Sequence, residues 1–123
     1  MQTNNLSPQE YIVHLCPSQD WLKAQGNRDY RAASLEDEGF IHCSRPNQIL
    51  EVANRFYRQV PDLVLLWIDP NLVIHDIRYE KPEPAAEQDF PHIYGPLNLR
   101  AVISVCSFPL HQDGFFRSIP FPE

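Results

Sequence analysis

Apolar residues recur along the chain with two spacings, one typical of β-strands and the other typical of an α-helix. Strand-type segments bounded by glycine, proline or polar residues are predicted at residues 10–16, 40–43, 63–69, 72–80, 92–94 and 100–108. The helix-type spacing follows Pro46 and predicts an amphipathic helix over residues 46–59 that packs on a sheet. The apolar residues that fall at helical spacing are Ile49, Val52, Ala53, Phe56, Tyr57 and Val60, the last of which directly follows the predicted helix.

Two shorter helical segments are predicted from the residues at their ends. Ser18 is suited to cap a helix that Gly26 ends, so residues 18–25 are predicted to be helical. In the same way, Ser34 and Gly39 bracket a single helical turn that precedes the second predicted strand.

The sequence Asp-Pro-Asn at residues 69–71 is typical of a tight turn. It predicts a hairpin between the strands at 63–69 and 72–80, so at least part of the sheet is expected to be antiparallel. The predicted fold class is therefore α+β, with about six strands, one main helix and one or two short helices.

Length and composition fit one compact domain. The chain has 123 residues, of which 43% are hydrophobic, so we expect a single domain over residues 1–123 with its core at about 10–108. The proline-containing tail at 109–123 is expected to wrap the surface. No apolar run approaches the roughly 18 residues of a membrane span, and the N-terminus does not resemble a signal peptide. The odd number of three cysteines predicts reduced thiols and a cytoplasmic location.

The acidic balance of the chain restricts its partners. The net charge is −6, and the ten lysines and arginines are scattered, so extended nucleic-acid binding is not expected. A single phosphate held by one or two arginines is compatible with this distribution. The four glycines are isolated, and neither common nucleotide-binding glycine motif occurs. We expect a monomer or weak dimer whose partner is a small nucleotide or anionic metabolite and which does not bind membranes.

Side-chain alternation sets a histidine apart from apolar residues in each of three predicted strands. In the first strand, His14 lies opposite three apolar residues. In the segment "GFIHCS", His42 and Ser44 lie opposite an isoleucine and a cysteine. In "HIYG", His92 and Tyr94 lie opposite an isoleucine. If the apolar sets pack under the main helix, these five polar and aromatic side chains are predicted to converge on one cleft.

Several chemistries are compatible with such a cleft. Three histidines can hold zinc, but the chain has no H-x-x-x-H, H-E-x-x-H or C-x-x-C motif, so no metal is expected. A cysteine nucleophile needs an imidazole nearby, and Cys16 shares a face with His14, although a buried cysteine is more often a small apolar residue. Each histidine taken alone also fits a structural role.

The chain also carries a set of spaced motifs that resembles a known family. These are "EGFIHCS", "LLWID" and "FPHIYGPLN", together with His14, Trp21, Tyr30, Ser34-Leu35, Gln48 and Tyr79-Glu80. Over about residues 10–108, the pattern resembles the domain of unknown function 952 family of small bacterial and plant proteins, which has no established activity. That family is grouped by fold with the ADP-ribosyltransferases and the RNA 2′-phosphotransferases. The resemblance therefore implies an ADP-ribosyltransferase-like split β-sheet, NAD as cofactor and a transferase activity of one of these two types.

The resemblance also implies roles for individual residues. His14 looks like the first-strand histidine that hydrogen-bonds a ribose of NAD, and His42 and Ser44 look like residues that border the nicotinamide pocket. His92 stands where ADP-ribosyltransferases often carry a glutamate, which is a departure from their pattern. The candidate catalytic residues are thus His14, His42 and His92. The candidate substrate-binding residues are Ser44, Arg45, Tyr30, Tyr94 and Glu80, with Arg31 as a second candidate for a phosphate contact. Two alternatives are a non-catalytic module that binds a small anionic metabolite and a zinc-dependent histidine site.

Overall fold

Three antiparallel sheets organise residues 6–122, the part of the chain that this computed structural model describes. The strands of this part are β1 (Ile12–Pro17), β2 (Asp29–Tyr30), β3 (Ile41–His42), β4 (Leu63–Ile68), β5 (Ile77–Glu80), β6 (Phe90–Ile93), β7 (Leu97–Asn98) and β8 (Val102–Ser107). They form the sheets β1-β4-β8, β3-β6-β5 and β2-β7. The α+β class is confirmed. The two strands that the sequence did not predict are β2 and β7. Each has two residues and shows no strand pattern in the sequence.

The helices of the described residues are α1 (Ser18–Ala24), α2 (Ala33–Glu38) and α3 (Pro46–Phe56). Helix α3 begins at Pro46 as predicted, and the backbone amide of Arg45 donates to the side chain of Gln48 at 2.8 Å. It ends at Phe56 rather than at residue 59. None of these helices is long and apolar enough to cross a membrane.

The two serines predicted as helix caps do not cap α1 and α2, so this prediction is wrong. Pro17 and Ala32 occupy the positions before the two helices, and each serine lies inside its helix. The hydroxyl of Ser34 is engaged elsewhere, because it donates to the carbonyl of Phe40 at 2.7 Å. Gly39 does end α2, in a left-handed conformation (φ 92°) that glycine adopts without strain.

The sheet β1-β4-β8 separates two apolar clusters, so strand β4 is buried on both faces. Leu66 and Ile68 enter the first cluster, whereas Leu65 and Trp67 enter the second. Burial on both faces explains the continuous apolar run of β4. The predicted alternation of the first strand is confirmed. Ile12 and Cys16 belong to the first cluster, and Tyr11, Val13 and Leu15 belong to the second.

The predicted hairpin between β4 and β5 is wrong, because the two strands lie in different sheets. Asp69 does turn the chain, since its carboxylate accepts from the amide of Asn71, but it starts a short 3-10 helix (Pro70–Leu72). The side chain of Asn98 then bonds the amide of Ile74 and the carbonyl of Leu72 at 3.1 and 2.9 Å. This connection carries the chain away from β4, and β5 pairs with β6 instead.

The two larger sheets meet at an isolated antiparallel bridge between Val13 and Ser44. The amide of Val13 donates to the carbonyl of Ser44 at 2.8 Å, and the amide of Ser44 donates back at 2.9 Å. β1 and β3 do not pair with each other on either side of this bridge. The two segments therefore diverge from it. The two larger sheets are thus joined at one bridge and separate beyond it.

The segment after β8 is attached to the second apolar cluster. Phe116 is buried in that cluster, and its amide and carbonyl bond the side chain of Asn54 at 2.7 and 3.0 Å. The indole of Trp67 donates to the carbonyl of Pro120 at 3.0 Å. Helix α3 and strand β4 therefore hold this segment through side-chain bonds to its backbone.

We predict that Asn54→Ala lowers the free energy of unfolding by about 1–3 kcal/mol, because it leaves two partly buried backbone groups of Phe116 without partners. Urea unfolding at neutral pH measures the change. Glu51→Ala, an exposed position on the same helix, is the matched control. An Asn54→Ala effect no larger than that of the control would show that these bonds do not hold the segment.

Candidate functional site

One face of the sheet β3-β6-β5 carries a group of rings that we call the aromatic cluster: Phe40, His42, His92 and Tyr94. Strand register places His42 directly opposite His92. The ring of Phe40 stacks on that of His92, with centroids 4.1 Å apart and an angle of 18° between the planes. The ring centroids of His42 and His92 are 5.2 Å apart, as are those of Phe40 and Tyr94. Of the five side chains predicted to converge on one cleft, His42, His92 and Tyr94 lie together here, and the ring of Phe40 joins them.

A carboxylate from the neighbouring strand joins this cluster. Oε1 of Glu80 accepts a hydrogen bond from Nδ1 of His92 at 2.8 Å and another from the hydroxyl of Tyr94 at 2.6 Å. The bond from Tyr94, followed by the bond from His92, lowers the pKa of Glu80. The same carboxylate raises the pKa of Tyr94. Glu80 is therefore held as an anion by two donors at neutral pH.

The second ring nitrogen of His92 bonds no other residue of the described part of the chain and is not fully buried. His92 is only 7% exposed, and Nδ1 is committed to Glu80. Among the described residues, no side-chain nitrogen or oxygen is both fully buried and without a hydrogen-bond partner. Because Nε2 of His92 bonds none of these residues, it must reach solvent. Glu80 and His92 thus form an oriented pair with one free nitrogen.

Two further charged groups, Glu38 and Arg78, lie beside the cluster. Nε2 of His42, whose side chain is 50% exposed, lies 3.1 Å from the carboxylate of Glu38. The guanidinium of Arg78 lies 4.2 Å from the centre of the Tyr94 ring. Glu38 and Arg78 were not among the predicted site residues. The sequence nevertheless indicates both residues locally. Glu38 stands four residues before His42, and Arg78 lies on the same side of its strand as Glu80.

His14 lies inside the protein, in the fork between β1 and β3. It is 5% exposed, and Nδ1 donates to the carbonyl of His42 at 2.5 Å. Because a carbonyl can only accept, Nδ1 carries the proton, and Nε2 accepts from the hydroxyl of Tyr30 at 2.8 Å. Tyr30 is also buried, and its hydroxyl lies near the thiol of Cys16. His14 and Tyr30 therefore bond protein groups rather than facing the aromatic cluster.

Burial controls the charge of this inner group. It lowers the pKa of His14 to about 4, against the opposing effect of the bond to the His42 carbonyl. Burial also raises the pKa of Tyr30, and it raises the pKa of Cys16 to about 11. The pKa of the Cys43 thiol is raised by burial as well. The protonated thiols of Cys16 and Cys43 do not suit the role of nucleophile.

The remaining predicted residues are not part of the aromatic cluster and bond other groups. Ser44 is buried at the bridge between the sheets. Arg45 forms an ion pair of 2.8 Å with Asp89 and also donates to the carbonyl of that residue. Arg31 pairs with Asp29 at 3.2 Å. A groove of about 370 Å³ separates the start of α3 from residues 81–89. Its lining residues are Arg45, Asn47, Gln48, Lys81, Glu87, Gln88 and Asp89.

Within residues 6–122, no three or more His, Cys, Asp or Glu side chains are grouped so that they could hold a metal ion. His42 and His92 approach each other, but each has a separate carboxylate partner. The geometry of the cluster therefore provides hydrogen bonds, charge and stacking surfaces.

The fold and the site describe an α+β protein whose antiparallel sheets carry a carboxylate–histidine pair on one face. Within that class, the chain belongs to the family described as "Protein of unknown function (DUF952)", which it matches over residues 15–105. The family membership expected from the motifs is confirmed. No curated protein sequence matches the chain.

Solved structures of one bacterial protein share the fold. The crystal structure of protein CC0527 from Caulobacter crescentus is 27% identical, with a TM-score of 0.77, over 87% of this chain and 93% of that chain. A double mutant of that protein gives the same values in a crystal structure. Its solution NMR structure has a TM-score of 0.75 over 88% of this chain and 92% of that chain, at 27% identity.

We predict that His14 makes the protein less stable in mild acid. The unfolded chain takes up a proton at His14 near pH 6.5, whereas the folded chain does so only near pH 4. The contribution of His14 is therefore complete above pH 6.5 and is lost as the pH falls to 4. The difference of about 2.5 corresponds to about 3 kcal/mol in the free energy of unfolding.

Urea unfolding of the wild type and of His14→Gln, at neutral pH and near pH 4, measures this contribution. Glutamine does not titrate, so the variant should lose less stability between the two pH values. Acids such as Glu80 titrate in both proteins, so their effect on stability cancels when the two losses are compared. An equal loss in both proteins would contradict the account of His14.

Proposed function

We propose that the aromatic cluster and Glu80 bind a nucleotide, with NAD as the ligand, and that the protein transfers the ADP-ribosyl group. The observation that carries this proposal is the ionised carboxylate of Glu80, which His92 and Tyr94 hold beside a stacked ring at the surface. The two larger sheets, which separate beyond the bridge between Val13 and Ser44, support the same proposal. The resemblance implies a split sheet for ADP-ribosyltransferase-like folds.

Glu80 supplies the acid that the sequence pattern lacks. ADP-ribosyltransferases often carry a glutamate at the position that resembles His92, and here Glu80 on the adjacent strand bonds the imidazole at that position. Cleavage of the nicotinamide–ribose bond passes through a state with positive charge on the ribose, as in glycoside cleavage. A fixed carboxylate stabilises that charge and accepts a ribose hydroxyl.

The rings of the cluster provide the binding surface. Phe40 is partly exposed and covers His92, so an incoming planar base can stack at its edge or outer face. Nicotinamide in oxidised NAD is cationic, and both aromatic rings and the carboxylates of Glu38 and Glu80 favour a cation. Two acidic groups therefore border the proposed nicotinamide site.

The proposed step transfers one group and balances in atoms and charge. The bond between ribose C1′ and the nicotinamide nitrogen breaks, and nicotinamide leaves with the electron pair. A hydroxyl of the acceptor, which is water in the simplest case, forms the new bond to C1′. Its proton passes to Nε2 of His92, whose Nδ1 is bonded to Glu80.

A second candidate is a non-catalytic module that binds a small anionic metabolite. The groove beside α3 supports it, because Arg45, Lys81 and three amide side chains line the groove. Glu87 and Asp89 line the same groove, and Asp89 already pairs with Arg45, so only part of its positive charge is available. The Glu80 site is therefore the stronger candidate.

We predict that NAD raises the melting temperature of the protein and that nicotinamide is released over time. A free ligand concentration of about 100 times Kd stabilises the folded state by about 2.7 kcal/mol. Phe40→Ala should weaken NAD binding about tenfold because it removes the stacking ring. Glu80→Gln keeps the shape but loses the charge, so nicotinamide release should fall about 100-fold.

Thermal shift, isothermal titration and chromatography of nicotinamide measure these effects, with ADP-ribose, coenzyme A and zinc as parallel ligands. Phe56→Ala is the matched control, because it removes an exposed phenylalanine of α3. Binding without nicotinamide release would favour the non-catalytic module. No response to any nucleotide, together with tight zinc binding, would exclude the proposed function.

A further inference from the structure

We infer that His14 and Ser34 are positioning residues for the aromatic cluster. Each donates a side-chain hydrogen bond to the backbone of the strand that carries Phe40 and His42. The part of this inference that concerns ligand affinity rests on the proposed function, whereas the part that concerns ring orientation does not.

The hydrogen-bond pattern of β3 shows which backbone groups need a partner. The amide of Cys43 donates to the carbonyl of Pro91, so the backbone of Cys43 faces β6. In an antiparallel pair, neighbouring residues direct their backbone groups to opposite edges. The carbonyls of Phe40 and His42 therefore lie on the edge that faces away from β6.

Side chains complete this edge of β3. The hydroxyl of Ser34 donates to the carbonyl of Phe40 at 2.7 Å, and Nδ1 of His14 donates to the carbonyl of His42 at 2.5 Å. Ser44, which is the next residue after His42 to direct its backbone groups to this edge, is paired with the backbone of Val13 in β1. The two donors thus take the place of a neighbouring strand for the two residues whose rings enter the cluster.

The orientation of His14 is itself determined from the other side. The hydroxyl of Tyr30 donates to Nε2, which leaves the proton on Nδ1, where the carbonyl of His42 needs it. The amide of Cys43 belongs to the same peptide as the carbonyl of His42, and it bonds the carbonyl of Pro91 at 3.0 Å. Loss of the His14 donor leaves that carbonyl without its partner, so the peptide is expected to tilt about its remaining bond to β6 and to move the ring of His42 relative to His92.

The side-chain amide of asparagine can reproduce the Nδ1 donor of histidine, whereas the longer glutamine places its amide near Nε2. The test therefore compares His14→Asn with His14→Gln, and Ser34→Thr with Ser34→Ala. Ile41→Val, a buried apolar change in β3 itself, is the control for a general loss of stability.

Two readouts apply to each folded variant. The first is the NMR chemical shifts of the His42 and His92 ring protons, which report the stacking on Phe40. The second is the affinity for NAD by titration. We expect His14→Gln and Ser34→Ala to shift the ring signals and to weaken NAD binding about tenfold, as for one lost positioning bond. His14→Asn, Ser34→Thr and Ile41→Val should stay within about threefold of the wild type.

Equal ring shifts for His14→Asn and His14→Gln, or shifts as large for Ile41→Val, would overturn the inference. If the wild type does not bind NAD, the proposed function fails, and the ring shifts alone then decide whether His14 and Ser34 position the cluster.

Discussion

The divergence of β1 and β3 beyond the bridge between Val13 and Ser44 is the constraint on which the site depends. Continued pairing of the two strands would satisfy their backbone groups and leave no room for a side chain between them. Because the strands separate, the imidazole of His14 fills the fork and donates to the carbonyl of His42. The bond to this carbonyl is partly buried, and an unpaired buried carbonyl costs about 1–3 kcal/mol, so the donor stabilises the fork. A buried side chain therefore helps to fix the strand that presents the rings.

Three histidines of this protein differ in their burial and in their hydrogen-bond partners. His14 is enclosed, both of its nitrogens bond protein groups, and burial keeps it neutral. His92 shares a carboxylate with a tyrosine and keeps one nitrogen at the surface. His42 is half-exposed and contacts an acid of the preceding helix. The three side chains belong to one connected structure, but only His42 and His92 lie in the aromatic cluster.

Side-chain direction within a strand or helix could be predicted from the sequence, because local backbone geometry determines it. The two faces of β1 and the start of α3 at Pro46 follow from such local rules. Strand partners could not be predicted in the same way. The turn at Asp69 is real, but contacts made by Asn98, far along the chain, direct the following residues to another sheet.

The site could be predicted only in part for the same reason. The alternation of side chains within single strands identified His42, His92 and Tyr94. It also placed His14 in the same cleft, because alternation does not show on which side of β3 a neighbouring strand lies. Tyr30 decides the orientation of His14 from a two-residue strand that has no sequence pattern. The pairing of Glu80 with His92 likewise depends on the register of β5 and β6.

A crystal structure of the protein with bound ADP-ribose tests the central claim most directly, because the ligand reports its own position. The account predicts a ribose whose hydroxyls bond Glu80 and Nε2 of His92, beside the ring of Phe40. A ligand bound instead in the groove between α3 and residues 81–89, with the aromatic cluster empty, would contradict it.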